Sequence, residues 1–274
     1  MYWLFFAKMK MATCIPERMH SGFSKEKNPI QISKIGQMPS VINEGSGIIS
    51  SGNGHSFYTH NDGGSLPQIF EINAKGNLLD TKKIAGAINT DWEDITADNK
   101  NNLYIGDFGN NANTRKDLNI IKYSSTGSIE KIEFELADQK AFPPQKSERN
   151  FDIEAFFWAN DSLYLFSKNR GKKNTNLYKI PAQKGQHKLL PAASIFLKAN
   201  ITGASISPNK SQFALLSYGK IFVFGIENQS ISFQKPLFCF KAALKQTEGI
   251  TYLSENELLI TNEQGEIFQI KMGK

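Results

Sequence analysis

Cysteine, histidine and long apolar runs are all scarce in this chain of 274 residues. Two cysteines are too few for a disulfide framework or a cysteine-rich metal site, and no pair among the four histidines has the spacing of a zinc site. No segment is apolar for long enough to span a membrane as a helix. Beyond residue 40 the apolar residues never keep a period of 3.6, which argues against an α-helical core.

Aromatic residues and glycine, by contrast, are plentiful. The chain has 20 phenylalanines and 21 glycines, a composition that favours β-strands joined by many turns. Hydrophobic residues make up 40% and charged residues 21%, as in a soluble globular protein. The net charge of +6 permits an anionic partner, but the lysine-rich stretch KNRGKKN at 168–174 has no stacking aromatics between its charges. We therefore predict no nucleic-acid partner.

The first 28 residues differ from the rest of the chain. Residues 2–7 are apolar and Cys14 follows them, as in a lipoprotein-type leader, although lysines interrupt the apolar stretch. We interpret 1–28 as a leader or disordered segment and 29–274 as a single domain. The leader predicts a periplasmic, cell-surface or secreted bacterial protein whose only membrane contact is an N-terminal lipid anchor.

Short apolar runs repeat five times along the remaining chain. Each copy opens with a run that includes a small or acidic residue, and these runs start at Glu44, Asp91, Asp152, Thr202 and Gln246. The intervals between them are 47, 61, 50 and 44 residues, and each contains further strand-like runs bounded by Gly, Asn, Asp, Ser or Pro. Four antiparallel strands repeated at this period are typical of the blades of a β-propeller.

The repeat predicts an all-β fold, a five-bladed β-propeller of four-stranded antiparallel blades. The last copy ends after three strands, so we expect an N-terminal strand over residues 30–38 to complete the last blade and close the ring. The longest interval contains the extra segment DQKAFPPQKSERN, which we interpret as an inserted loop between two blades.

Carboxylates and amides occur where the propeller topology brings strand ends together. The innermost strand of a blade starts on the face where the second strand ends, so both ends meet at one mouth of the central channel. The residues at these ends are Asp91, Glu93, Asp94, Asp152, Glu154 and Glu248 on first strands, and His60, Asn61, Asp62, Asp107, Asn110, Lys168, Asn169, Tyr218, Asn262 and Glu263 on second strands. One mouth is therefore predicted to be acidic and amide-rich.

Several of these stretches resemble a known family. The segments WEDI, IEAF, GASISP, EGI and LLITNEQGEIFQI are similar to those of SdiA-regulated-type bacterial extracytoplasmic β-propellers, and the likeness covers residues 41–272. A more distant likeness is to phytase-like and esterase-like propellers, which implies calcium and phosphoester chemistry. Ser46, Ala204 and Ser205 depart from the acidic pattern, so the ring of acids is expected to be incomplete.

The first function that fits this mouth is a binding module. It would hold a divalent cation, and Ca²⁺ is expected because the donors are all oxygen; the predicted metal ligands are Glu93, Asp107, Glu154 and Glu248. A small anionic or sugar-like ligand would bind beside the ion, and the residues predicted to contact it are Asn61, Asp62, Asp91, Lys168, Asn169, Tyr218 and Asn262. No organic cofactor is expected.

Two further functions remain open. A hydrolase would use His60, Glu154 and Glu248 as acid–base groups in glycoside cleavage or metal-assisted phosphoester cleavage. A scaffold would present the same loops to an extracytoplasmic protein, and the glutamates would then only cap turns between blades. In each case Trp92 is expected to pack between blades, and the protein is expected to be a monomer.

Overall fold

The structure, a computed structural model, describes residues 22–25, 29–52, 54–168, 170–171 and 174–273. Most of the predicted leader, and Asn169 of the predicted ligand site, lie outside the described residues. Within these ranges the regular elements are β-strands and one short 3-10 helix, which lies in the predicted inserted loop. No helix in this part of the chain is long and apolar enough to cross a membrane.

The described residues form 22 strands. In chain order they are β1 (Ser24–Lys25), β2 (Ile30–Gln37), β3 (Gly45–Ser50), β4 (Ser56–Asn61), β5 (Gln68–Asn73), β6 (Leu78–Lys83), β7 (Trp92–Ala97), β8 (Leu103–Asp107), β9 (Asn119–Tyr123), β10 (Ile129–Leu136), β11 (Ile153–Ala159), β12 (Ser162–Ser167), β13 (Asn174–Pro181), β14 (Gly185–Leu189), β15 (Ala193–Phe196), β16 (Ile201–Ile206), β17 (Gln212–Ser217), β18 (Gly219–Gly225), β19 (Pro236–Ala242), β20 (Thr247–Ser254), β21 (Glu257–Asn262) and β22 (Glu266–Met272).

Five sheets of these strands confirm the predicted five-bladed propeller. Blade 1 is β3–β6, blade 2 is β7–β10, blade 3 is β11–β13 with β15, blade 4 is β16–β19, and blade 5 is β20–β22 with β2. The N-terminal strand β2 pairs antiparallel with β22, from Ile30 opposite Met272 to Gln37 opposite Glu266. The predicted closure of the ring between the two ends of the domain is therefore confirmed.

Two short strands extend blades in a way that the repeat does not predict. β14 pairs parallel with β10 at the outer edge of blade 2, and β1 pairs parallel with β19 at the outer edge of blade 4. Each satisfies backbone groups that an open edge would expose. Because β14 belongs to the sheet of blade 2, the outer strand of blade 3 is β15 instead.

The apolar core lies between neighbouring blades. The inner strands β3, β7, β11, β16 and β20 contact one another in turn around the channel. Between blades 3 and 4, the rings of Phe157, Phe166, Phe213 and Phe224 are buried and follow one another at centroid distances of 5.0–5.9 Å. Burying a phenylalanine contributes about 1.5–3 kcal/mol, which explains why a sequence of this fold is rich in that residue.

One cysteine takes part in covalent bonding. Cys239 of β19 is buried and its sulfur is disulfide-bonded. The scarcity of cysteine therefore excludes a framework of several disulfides, but it does not exclude one disulfide. The other cysteine of the sequence, Cys14, lies outside the described residues.

Candidate metal centre at the channel mouth

A β-bulge interrupts the start of every inner strand. In each blade the pairing of the first and second strands skips one residue, and the skipped residues are Gly47, Glu93, Glu154, Thr202 and Glu248. A bulged residue is unpaired, and the bulge redirects its side chain. In blades 2, 3 and 5 it is a predicted glutamate, and all three glutamates line one cavity at the channel mouth.

The bulges also correct the alignment of blades 1 and 4. Sequence comparison places Ser46 and Ala204 at the position of the glutamates, but both pair regularly with the second strand. The structural equivalents are Gly47 and Thr202. Blade 1 therefore has no side chain at this position, and blade 4 has a hydroxyl group there.

The cavity at the mouth is small and strongly polar. Its volume is about 180 Å³. Five carboxylates and two cations line it, namely Asp62, Glu93, Glu154, Glu248, Glu263, Lys168 and Arg170. Its formal charge is therefore negative, although the formal net charge of the whole chain is +6.

Three carboxylates lie close together at one side of the mouth, and two of them, Asp62 and Glu93, line the cavity. One oxygen each of Asp62, Asp91 and Glu93 lies within 4.8 Å of the other two. The two basic residues of the cavity form their salt bridges elsewhere, with Asp152 and Glu154. We call these three acids the carboxylate trio. Three acidic oxygens at this spacing are the kind of donor set that a hard divalent cation takes.

Two glycines make room for the carboxylate trio. A Cβ atom on Gly109 would collide with Oε1 of Glu93 and with the carboxylate of Asp91, and a Cβ on Gly63 would collide with Oδ1 of Asp91. Backbone therefore packs directly against these oxygens, and any larger residue would displace them. Both glycines follow the end of a second strand, in the segments NDGG and GDFGNN.

Burial and mutual repulsion make the carboxylate trio reluctant to ionise. Burial raises the pKa of Asp91 to about 6, and the charge of Asp62 adds to the effect. The pKa of Glu93 is raised well above its usual range, chiefly by burial and secondly by the charge of Glu154. The pKa of Asp62 is raised by burial too. A bound cation would lower all three pKa values, because it would neutralise the repulsion between the carboxylates.

The other side of the cavity is internally neutralised. Lys168 Nζ lies 2.8 Å from Glu154 Oε2 and 3.3 Å from the hydroxyl of Tyr218, which in turn donates to Glu248 Oε1 at 2.8 Å. Burial lowers the pKa of Lys168, but the charges of the Glu154 and Glu248 carboxylates outweigh it and the pKa is raised. Lys168 is therefore a fixed cation. Burial raises the pKa of Glu248 to about 7 despite this cation.

Arg170 connects this side of the cavity to the loops of blades 2 and 3. Its Nε lies 2.7 Å from Asp152 Oδ2, and its Nη2 lies 3.3 Å from Glu154 Oε1 and also contacts Asn111. The side chain remains 35% exposed, so the guanidinium can still be reached by a ligand. The sequence predicts Arg170, beside Lys168, as a partner for phosphate oxygens only if the protein is a phosphoesterase, and Asn111 is not among the predicted ligands.

Three other predicted site residues have structural roles at the rim. Asp107 accepts from Arg115 Nη2 at 3.1 Å and from the backbone N–H of Asp91 at 3.0 Å, so it positions the carboxylate trio from behind. Asn61 donates to a backbone carbonyl at 3.1 Å, and Asn262 donates to the carbonyl of Leu244 and accepts from the backbone N–H of Glu266, both at 2.9 Å. None of the three lines the cavity.

His60 and Trp92 form part of the wall between blades 1 and 2. Both are fully buried, and their rings meet edge to face at 5.6 Å. Burial lowers the pKa of His60 to about 4, so the imidazole is neutral at physiological pH. Trp92 donates its indole N–H to the carbonyl of Ile88 at 3.1 Å. Trp92 thus packs between blades as expected, and His60 lies behind the cavity lining rather than in it.

Comparison with solved structures supports the fold. A gluconolactonase from Xanthomonas campestris is 10% identical, with a TM-score of 0.52 over 93% of this chain and 98% of that one. The PQQ-bound form of an aldose sugar dehydrogenase from Streptomyces coelicolor is 10% identical, with a TM-score of 0.54 over 90% of this chain and 98% of the other. The chain is a β-propeller.

A luciferin-regenerating enzyme is also similar, with 12% identity and a TM-score of 0.50 over 89% of this chain and 95% of that one. These propellers are enzymes, but identities this low carry the fold alone. Neither the scan against protein-family models nor the search of curated proteins finds a match. The function must therefore be argued from the mouth itself.

Proposed function

We propose that the channel mouth binds a divalent cation, Ca²⁺, on Asp62, Asp91 and Glu93. The observation that carries this proposal is the carboxylate trio, whose oxygens converge within 4.8 Å and are packed closely by the backbone of Gly63 and Gly109. The donors are all oxygen, which suits a hard cation better than zinc or copper. Glu154 and Glu248, two of the glutamates predicted as metal ligands, instead interact with Lys168 and Tyr218.

The same mouth is suited to a small anionic or sugar-like ligand. Lys168 is paired with Glu154, but Arg170 is 35% exposed beside Asp152, and a guanidinium is well shaped for carboxylate or phosphate oxygens. Asn111, Ser46 and the Tyr218 hydroxyl add neutral hydrogen-bonding groups around the cavity. A ligand with one acidic group and several hydroxyl groups would use all of these contacts.

Calcium binding predicts a rise in melting temperature. At a Ca²⁺ concentration 100 times the Kd, the folded state gains about 2.7 kcal/mol, or roughly 5–10 °C for a domain of this size. Glu93→Gln should abolish the shift because it removes one of three anionic donors. Gly109→Ala should abolish it too, because the new methyl group displaces the Glu93 and Asp91 carboxylates. Differential scanning calorimetry with Ca²⁺ and with EDTA measures both effects.

Glu263→Gln is the matched control for this experiment. Glu263 lines the same cavity but lies outside the carboxylate trio, so its replacement should leave most of the calcium shift intact. Equal melting temperatures in Ca²⁺, Mg²⁺, Mn²⁺ and EDTA for the wild-type protein would contradict the proposal.

A hydrolase is the second candidate, and one observation favours it. The pKa of Glu248 is raised to about 7 and that of Asp91 to about 6, near the pH at which a general acid or base works best. On this hypothesis Glu248→Gln lowers kcat by about 10²–10⁴-fold without lowering the melting temperature. A screen of phosphomonoesters and glycosides would find the substrate. Equal kcat values for the variant and the wild type would exclude Glu248 as the acid–base group.

We further propose that the protein is an extracytoplasmic propeller of the SdiA-regulated type. The likeness of its WEDI, IEAF and EGI segments supports this, and so does the disulfide at Cys239, since disulfides persist in oxidising compartments. Cell fractionation with an antibody against the protein tests the location. A scaffold function would be favoured if neither metal nor small ligand bound and a surface protein co-purified instead.

A further inference from the structure

A groove on the outer part of blade 2 is larger than the cavity at the mouth. Its volume is about 680 Å³, against about 180 Å³ for the mouth cavity. Residues of β8, β9, β10 and β14 line it, together with the β6–β7 loop and the segment just before β9. Small-molecule sites have volumes of about 300–1,000 Å³, so the groove has the size of such a site.

A row of polar side chains crosses this groove from strand to strand. On β8 and β9, Asp107 is opposite Asn119, and Asn119 Nδ2 donates to Asp107 Oδ2 at 3.3 Å. On β10, Glu133 is opposite Asn119 on one side and Gln186 of β14 on the other. Gln186 Nε2 donates to Glu133 Oε2 at 3.2 Å. Because opposed side chains point to the same side of a sheet, carboxylates and amides alternate across the groove. We call these four residues the polar row.

The polar row contains one buried acceptor without a partner. Asn119 is 7% exposed, and its Nδ2 also donates to the carbonyl of Asp117 at 3.1 Å. Its Oδ1 is buried and has no hydrogen-bond partner among the described residues. A buried oxygen of this kind calls for a donor from a bound water or a ligand. A hydroxyl group of a ligand in the groove would be such a donor.

A strand from outside the repeat completes the groove. β14 follows β13 of blade 3 in the chain but pairs with β10 of blade 2, and there it contributes Gln186 and Lys188 to the lining. Without β14 the polar row would end at Glu133. The strand that the repeat does not predict therefore has a consequence beyond covering an edge, because it extends a surface of hydrogen-bonding groups.

An apolar side chain lines the groove beside the polar row. Ile88 of the β6–β7 loop is 68% exposed. Its backbone is fixed, because its carbonyl accepts from the indole N–H of the buried Trp92 at 3.1 Å. Ile88 therefore offers a fixed apolar surface to the carbon-bound hydrogens of a ligand, and covering it would favour binding.

The charges that line the groove are nearly balanced. Four carboxylates and three lysines line it. Lys188 lies 2.8 Å from Glu135, and Arg115 forms salt bridges with both Asp107 and Asp117. An anion would meet the carboxylates and a cation would meet the lysines, so neither is favoured. A neutral ligand with several hydroxyl groups fits better, because each hydroxyl can donate to a carboxylate and accept from an amide or ammonium group.

We propose that this groove is a second ligand site and that it binds a neutral oligosaccharide along the polar row. Sugar hydroxyls would bond to Asn119, Glu133 and Gln186, and an apolar face of a sugar ring would cover Ile88. The site goes beyond the proposed cation site and needs no cation. Asp107 is common to both regions, since it also accepts from the backbone N–H of Asp91. The test therefore leaves Asp107 and its neighbour Asn119 unchanged.

The test is a printed array of neutral, acidic and sulfated oligosaccharides, followed by isothermal titration calorimetry with the neutral one that binds most strongly. The wild type should bind it equally in Ca²⁺ and in EDTA. E133A/Q186A should bind it about tenfold more weakly, because two hydrogen-bonding groups are lost. I88D should weaken binding too, because a charge replaces the apolar surface. All three residues are exposed, so the ligand-free variants should melt at the wild-type temperature.

E257A/Q269A and L79D are the matched controls. On blade 5, Gln269 Nε2 donates to Glu257 Oε2 at 3.4 Å, so the double variant removes the same kind of pair between neighbouring strands. Leu79 is an exposed apolar residue of β6, as Ile88 is of the following loop. None of these three residues lines the groove. Both control variants should bind the oligosaccharide with wild-type affinity.

Three results would overturn the groove as a saccharide site. These are binding of no neutral oligosaccharide on the array, wild-type affinity in E133A/Q186A, and stronger binding of acidic or sulfated chains than of neutral ones. Glu93→Gln separates this site from the mouth. Loss of the neutral oligosaccharide in Glu93→Gln or in EDTA would place the sugar at the mouth and contradict the groove. A missing calcium shift with intact sugar binding would contradict the cation site alone.

Discussion

Replacing Asp94 with alanine is expected to lower the free energy of unfolding by about 3–5 kcal/mol. Asp94 is only 1% exposed. Its Oδ1 accepts from the backbone N–H of Ile95 at 2.8 Å and its Oδ2 from that of Phe156 at 3.0 Å, and the backbone of Ala204 also bonds to it. One carboxylate therefore links blades 2, 3 and 4 near the centre of the ring, and alanine would leave buried N–H groups unpaired.

Urea unfolding monitored by circular dichroism measures this loss. Asp94→Asn retains one carbonyl acceptor and should cost less than the alanine variant. Asp80→Ala is the exposed control, because Asp80 lies on the outer strand β6 and its replacement should change stability by less than about 1 kcal/mol. A loss below 1 kcal/mol for Asp94→Ala would show that this carboxylate does not hold the blades together. Asp94 therefore stabilises the ring of blades, although the sequence predicts it among the acids of the channel mouth.

Replacing Glu248 with glutamine is expected to stabilise the cation-free protein at pH 8 by about 3 kcal/mol. The pKa of Glu248 is raised from 4.5 to about 7, chiefly by burial. Between these two pH values Glu248 binds more protons in the folded state than in the unfolded state, so its contribution to wild-type stability is greatest below pH 4.5 and is lost as pH rises through 7. Glutamine keeps the hydrogen bond to Tyr218 but cannot ionise. The variant should therefore not lose this part of the stability as pH rises.

The measurement is urea unfolding in EDTA at pH 5 and pH 8 for both proteins. The two should differ little at pH 5 and most at pH 8. Glu257→Gln is a suitable control, because Glu257 lies at the start of β21, away from the mouth, and the variant removes one carboxylate as Glu248→Gln does. A Glu248→Gln variant less stable than the wild type at pH 8 would mean that Glu248 contributes to the fold as an anion.

The two predictions distinguish an acid whose hydrogen bonds stabilise the ring of blades from acids whose ionisation destabilises the folded state. Burial raises the pKa of Asp94 well above its usual range too, but backbone N–H groups bond to both of its oxygens, so its removal costs stability. Glu248 and the carboxylate trio are buried beside other carboxylates, and their ionisation opposes folding. Buried, closely spaced acids that lower the stability of the folded protein are typical of ligand-binding and catalytic sites.

Much of the fold could be predicted because a propeller repeats one local pattern. Short apolar runs bounded by turn residues show where strands lie, and their period shows how many blades there are. The closing strand could be found as well, since the last copy lacks its fourth strand and only the segment at 30–38 was unassigned. The parallel additions β1 and β14 could not be found, because a strand added at an edge belongs to no repeat and its pairing depends on the chain path.

Less of the candidate site could be predicted. Topology correctly indicated that acids gather at one mouth, and it identified Asp62, Asp91 and Glu93 as members. It did not separate them from Glu154 and Glu248, because the difference lies in partners that are distant in sequence. Lys168 pairs with Glu154, and Tyr218 bonds to Glu248.

The sequence by itself determined the number of blades, the closure of the ring and the end of the channel where charge collects, because these follow from periodicity and strand direction. Tertiary structure alone decided which acids form salt bridges with a lysine or arginine and which glycines pack against the other acids. Those properties depend on distances of a few ångströms between residues from different blades, and β-bulges and neighbouring side chains set these distances without any local pattern in the sequence.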